Sequence, residues 1–310
     1  MSQSPDVIYK YVDQEGARKI IANATLRFSR PSGLNDPFDV YIDDLFNLGF
    51  EKLQQKAIAE FFELLQNDPA LFVRLIGADP PQVAEVSSLV RSISPEERAA
   101  LSAMITPERL ENWDTGLADM RIHLEAERKQ VVAQFENCAI FCATRSHDNL
   151  LMWAHYAQQH RGVVLGFRPN TAKDSMLAVT KPVRYTDKRP TFYGLLDDLI
   201  ASGAAMNRDE QAEFRNALVY SKSSHWSYEE EVRIDIPHEV PVGEPASFFK
   251  FDPNELTELY FGCRVDQAFR REITLAARTL NPNIEIFDAR LQKESYGLAF
   301  DPAQDACGRP

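Results

Sequence analysis

The chain has 310 residues, 44% of them hydrophobic and 26% charged, a balance that builds a packed core and excludes a low-complexity polymer. Its formal net charge of −12 works against generic binding to nucleic-acid backbones and anionic membranes. No run approaches the roughly 18 apolar residues that span a bilayer, and the short polar start, Met1–Asp6, does not read as a secretory leader.

Four cysteines occur, at 138, 142, 263 and 307. Cys138 and Cys142 sit in a strand-like run whose rise separates them by roughly 13 Å, too far for a local disulfide. No spacing matches a redox pair or zinc knuckle. Free thiols in an apolar strand suit a reducing compartment, and the expected location is the cytoplasm.

In chain order, residues 7–11 read as a strand. A helix follows from about Asp13 to Ala22, with Asn23 as its stop, and Thr25–Ser29 alternates as a second strand. The next segment, Arg30 to Asp39, holds two prolines, a glycine and an Asn-Asp pair, which marks a structured loop. From Leu53 to about Lys129 the texture is helical, with Leu53, Ile58, Phe61, Phe62, Leu64 and Leu65 at helical spacing. Ser94-Pro-Glu-Glu97 and Thr106-Pro-Glu-Arg109 look like helix starts.

Strand texture returns at Cys138–Thr144. A helix is expected from Asn149 to about Gln158, then strands at Gly162–Phe167 and Val183–Tyr185, and helices over roughly 191–220. The basic run Lys181, Arg184, Lys188 and Arg189 reads as a solvated strand edge. Strands at Glu229–Pro237 and Glu258–Phe261, an amphipathic helix at 266–279, a strand at Ile284–Phe287 and a loose tail from Asp301 complete the pattern. The expected fold is α+β, with a mixed, largely antiparallel sheet built from both chain ends. It forms one domain over 1–300 with a helical insert at about 50–130.

Three segments could carry chemistry. In the expected strand, Ser227, Glu229, Glu231 and Arg233 share one face while Val232 and Ile234 share the other. Neighbouring carboxylates raise one another's pKa unless a cation such as Arg233 neutralises them, and such pairs suit acid–base or electrostatic work. In the loop, Asn35, Asp36 and Asp39 are elaborately specified, and they are expected to share a cleft with Glu231. The third segment contains Trp153, His155, Tyr156 and His160, with Trp153, Tyr156 and His160 near one helical face. His155 and His160 are five apart, wrong for a shared metal face, and no metal site is expected. The P-loop, the Rossmann glycine fingerprint and the nucleophile elbow are all missing from the sequence.

Together these segments resemble a widespread bacterial domain-of-unknown-function family. The family's "(L/I)YKY" stands here as Ile8–Tyr11, its "L-x-F-S-x-P-S-x-x-N-D-P-F-D" as Leu26–Asp39, its "MW-x-H-Y-A…H-x-G-V" as Met152–Val163 and its "W-x-Y-E-x-E-x-R" as Trp226–Arg233. Val232 departs from the aromatic often found there. The layout is distantly similar to the ADP-ribosyltransferase superfamily. That resemblance implies NAD as the substrate nucleotide, a macromolecular acceptor and a toxin or antiphage role. Glu231 is its first-choice catalytic carboxylate, with Glu229 and Arg233 beside it. Tyr9, Lys10, Ser29 and the Asn35–Asp39 loop border the nicotinamide pocket. Tyr9 or Phe28 stacks on the ring, Lys10 or Arg233 meets the pyrophosphate, and Trp153, His155 and Tyr156 complete the candidate binding set. Two other readings stay open. One is a metal-dependent nuclease or hydrolase using Asp36, Asp39, Glu229, Glu231 and His155. The other is a non-catalytic binding or interaction module.

Overall fold

The computed structural model describes residues 7–40, 62–76, 79–104, 129, 133, 135–188, 208–237, 240–241 and 243–303. Expectations at Leu53, Ile58, Phe61, Thr106–Arg109, Arg189 and Cys307, and over 191–207, lie outside these residues. Chain contacts sort into two compact units. One is Met1–Val40, Gln134–Arg189 and Ala217–Pro310; the other is Tyr41–Ala133 and Pro190–Asn216.

The first unit holds a mixed, mostly antiparallel sheet. Its strands are β1 (Ile8–Val12), β2 (Thr25–Ser29), β3 (Ala139–Thr144), β4 (Val163–Phe167), β5 (Lys181–Pro182), β8 (Glu231–Ile236), β9 (Ala246–Lys250), β10 (Leu256–Phe261), β11 (Glu285–Leu291) and β12 (Leu298–Pro302). The order is β12-β11-β10-β4-β1-β3-β2-β9, with β8 on the other edge of β3 and β5 beyond it. Both chain ends therefore contribute. β6 (Arg184–Thr186) and β7 (Ser221–Ser223) form a separate parallel pair.

Two capped helices lie against the larger core. Helix α1 (Gln14–Asn23) starts where the Asp13 carboxylate accepts from Gly16 N at 2.7 Å. It ends at Ala24 with φ 49°, one residue later than expected. A later helix, Gln267–Leu280, is capped in the same way by Asp266 and buries Phe269, Ile273 and Ala277 at four-residue spacing. These side chains join Ala17, Ile20 and Ile21 of α1 and one face of the strands, including Leu165, Phe167, Val232, Ile234 and Leu259, in one apolar cluster. A smaller aromatic cluster contains Tyr11, Trp153, Val164 and Tyr260.

Among the second unit's described helices, Pro69–Ile76 buries Phe72 and Pro80–Ser92 buries Val83 and Val90, together with Phe62 and Leu65. The expected helix start at Ser94 is a capping box: Glu97 N donates to Ser94 Oγ at 3.2 Å and Ser94 N to Glu97 Oε2 at 2.8 Å. No helix among the described residues is long and apolar enough to cross a membrane.

Several boundaries differ from expectation. The helix expected at 149–158 is only Leu150–His155, because Asn149 caps it and Gln158, Gln159 and His160 all have positive φ. Strands β7, β9 and β12 were not expected, and β12 puts Asp301 and Pro302 in the sheet rather than in a loose tail. The largest difference is at 224–229. These residues form a 3₁₀ turn capped by Ser223, and Glu230 at φ 45° separates them from β8. Glu229 is thus not on the strand.

Candidate functional site

The cleft originates in a split of the sheet. Along one edge β3 is paired with β8 at all six residues. Along the other edge its pairing is divided: Ile140 meets Ser29 of β2, and Thr144 meets Tyr9 of β1. Between these two contacts lies Cys142, whose peptide points to the same edge by the period of two. Its carbonyl accepts from the Lys10 ammonium at 2.5 Å. A side chain thus fills the place of a backbone donor where β1 and β2 diverge.

A cavity of about 300 Å³ opens at this split. β1 lines it with Tyr9, Lys10 and Tyr11, and β2 with Arg27 and Ser29. Its walls also include Asn35, Asp39 and Tyr156, together with Lys222, Glu229 and Glu231.

The ionic floor is a closed network. Lys222 Nζ lies 2.5 Å from Glu229 Oε2, 3.0 Å from Glu231 Oε2 and 3.8 Å from Asp39 Oδ2. Arg233 donates from Nε to Glu231 Oε1 at 2.8 Å and from Nη2 to Glu231 Oε2 at 3.0 Å. The same guanidinium meets both oxygens of Asp39, at 2.8 and 2.5 Å, and gives Nη1 to the Val219 carbonyl at 2.7 Å. All five side chains are buried. Burying so many charges requires this mutual pairing, since each alone would be strongly disfavoured.

The two glutamates respond differently. Burial pushes Glu231 up, but Arg233 and Lys222 outweigh it and hold the carboxyl down at about 2. Burial raises Glu229, and Lys222 only partly offsets it. Glu229 Oε1 accepts from Tyr156 Oη at 2.5 Å, and that hydroxyl accepts from Asn35 Nδ2 at 2.5 Å. Burial also lowers the Lys10 ammonium's pKa.

Of the sequence candidates, Tyr9, Lys10, Ser29, Asn35, Asp39, Tyr156, Glu229 and Glu231 line the cleft. The others do not. Arg233 is fully buried beneath it, with its donors committed to carboxylates and a carbonyl, so it cannot meet a pyrophosphate. Phe28 lies in the core, stacked on Phe141, rather than facing a ring in the cleft. Trp153 is fully buried, donates its indole N–H to the His147 carbonyl and lies parallel to the His160 ring. His155 is exposed away from the cleft. Asp36 turns to its own backbone, accepting from Phe38 N at 2.9 Å.

Sequence reasoning missed Lys222 and Arg27. Lys222 carries a legible signal in retrospect, because three carboxylates around one arginine leave a charge unbalanced. Arg27 occupies the unspecified position of the "L-x-F-S" strand.

Fold and cleft together define an α+β protein with a charge-lined pocket at a sheet split. Residues 152–234 match the family described as "Protein of unknown function (DUF2971)", which supports the resemblance to a domain-of-unknown-function family. The matched stretch contains Tyr156, Lys222, Glu229, Glu231 and Arg233, whereas Lys10, Arg27 and Asp39 precede it. No curated protein and no solved structure matches the chain.

Proposed function

We propose that the cleft binds NAD and that the protein breaks the nicotinamide–ribose bond, as an ADP-ribosyltransferase or NAD glycohydrolase. The observation that carries this reading is Glu229, a buried carboxylate at the cleft wall fixed by one phenol and one ammonium, each at 2.5 Å. Departure of neutral nicotinamide leaves an oxocarbenium-like ribose, which an oriented carboxylate stabilises much as in glycoside cleavage. Water or an acceptor nucleophile then adds at the same carbon and loses its proton. The cavity is at the small end of ligand pockets and suits the nicotinamide riboside half, with Tyr9 available to the ring.

Between the two glutamates, we assign the ligand to Glu229. Both oxygens of Glu231 are engaged by Arg233, and one also by Lys222, so Glu231 serves to hold Lys222 in place. The acceptor is macromolecular or water, and a cytoplasmic toxin or antiphage effector is the proposed setting.

The test is nicotinamide release, and label transfer from NAD with cell lysate as acceptor, for wild type and Glu229→Gln. Loss of one carboxylate facing a developing cation costs about 10²–10³ in rate. Wild type that never consumes NAD overturns the reading. One observation favours a non-catalytic binding module instead: Asp39, Glu229 and Glu231 are each already paired with a cation. The same pairing disfavours the metal-dependent hydrolase, since a divalent ion must displace Lys222. Activity abolished by a chelator would restore that alternative.

A further inference from the structure

Among the described residues, no carboxylate forms an ion pair with Arg27, a cation of the cleft wall. It sits mid-strand on β2 between the core residues Leu26 and Phe28, exposed and on the same side as Ser29. Lys222 and Arg233 both have carboxylates within 4 Å. Among the described residues, the Arg27 side chain has no hydrogen bond or ion pair. A second cation, Lys10, lines the same opening from β1, and it feels Glu231 as well as Arg27.

Arg27 and Lys10 line one opening as like charges, and an anion between them offsets their mutual repulsion. Glu229 and Glu231 line the same cleft, each already paired with Lys222. A guanidinium offers a fork of N–H donors that matches phosphate geometry, and Ser29 adds a hydroxyl.

We infer that the Arg27–Lys10 end of the cleft is a phosphate subsite, so that the ligand is a phosphorylated sugar or nucleotide with its phosphate against Arg27 and its hydroxyls towards Glu229. This inference rests on the reading that the cleft takes a nucleotide, but it requires no bond to be broken.

The experiment is calorimetric titration of the full chain with ribose 5-phosphate and with ribose, using wild type, Arg27→Met and Lys10→Met. Ribose 5-phosphate should bind wild type at least about tenfold more tightly than ribose. Arg27→Met should weaken ribose 5-phosphate by about ten- to a hundred-fold, the loss expected for hydrogen bonds to a charged group. Arg27 is exposed, so its thermal melt should not change, and ribose binding serves as a second check on the fold. No binding of ribose 5-phosphate, equal binding of the two sugars, or unchanged binding by Arg27→Met overturns the subsite. Nicotinamide release measured on the same samples separates the two proposals. Phosphate preference without turnover removes only the enzyme reading. Turnover with a KM for NAD unchanged in Arg27→Met removes only the subsite.

Discussion

Arg233 and Asp39, 194 residues apart in the chain, meet through two parallel hydrogen bonds, Nη1 to Oδ1 at 2.8 Å and Nη2 to Oδ2 at 2.5 Å. This pair ties the end of the Pro-Ser-Gly-Leu-Asn-Asp-Pro loop to the middle of β8. Glu231 occupies the remaining Nε side of the same guanidinium, so one arginine orients two carboxylates of the cleft floor.

Removing Asp39 strips the Arg233 fork of two charged hydrogen bonds and leaves Glu231 as its remaining carboxylate. Asp39→Ala should therefore cost about 2–3 kcal/mol, read from the urea midpoint. Asp39→Asn, which keeps an acceptor, should cost less. Arg233→Lys should also destabilise, because an ammonium cannot span Asp39 and Glu231 as a fork. A loss below about 1 kcal/mol for Asp39→Ala would place this pair among those that contribute little net stability.

The pH dependence follows from the two glutamates with opposite signs. Glu231 titrates at about 2 in the fold against 4.5 unperturbed. Its stabilisation is thus complete above about pH 4.5 and is lost as pH falls towards 2, amounting to about 3 kcal/mol. The stability gap between wild type and Glu231→Gln should shrink over that acid range. Glu229 is raised by burial, so folding resists its ionisation, and stability is lost as pH rises from 4.5 through its higher folded pKa. Glu229→Gln should remove that loss and gain relative to wild type as pH rises. Denaturation curves from pH 2 to 7 for the three proteins check both signs.

Tyr156 is a positioning residue for Glu229. Tyr156→Phe removes the O–H donor and the acceptor used by Asn35, yet leaves the ring in place. Under the proposed NAD-cleaving function, kcat should fall by about tenfold or more with KM changed little, and stability read from the urea midpoint should fall by about 1 kcal/mol at most. A KM rise at unchanged kcat would make Tyr156 a plain ligand contact.

Gly262 tests the packing beneath the aromatic cluster. A Cβ built there lies 2.3 Å from the His160 carbonyl oxygen and 3.0 Å from the Trp153 ring. The same stretch hydrogen-bonds Gly262 N to the Gly162 carbonyl at 3.1 Å, so the two backbones cannot part without losing that bond. Gly262→Ala should destabilise by about 3 kcal/mol or give insoluble protein, measured by thermal melting and soluble yield.

The capped and periodic elements were legible. Asp13 and Asp266 announce their helices, and alternation at 231–234 correctly separates Val232 and Ile234 from Glu231 and Arg233. The convergence of Glu229 with Glu231 was anticipated for the wrong reason. Alternation was carried through 227–229, but Ser223 caps a 3₁₀ turn there and Glu230 takes a left-handed conformation. Glu229 reaches the cleft because the turn folds it back beside Lys222. Strand β9 escaped notice because Phe248 and Phe249 are adjacent and break apolar alternation, although Phe248 turns out to be exposed. Arg27 was invisible because a cation's role depends on which carboxylates the fold brings within reach, and Lys222 was signalled only by the charge that three carboxylates leave unbalanced.

The rung that Lys10 supplies to β3 differs in kind from its peptide neighbours. A backbone amide cannot be deprotonated near neutrality, acylated by an electrophile or replaced by mutation, whereas an ε-amine is open to all three. The β-sheet therefore has, at the junction of its two halves, one replaceable crosspiece whose grip on Cys142 depends on the state of a single nitrogen.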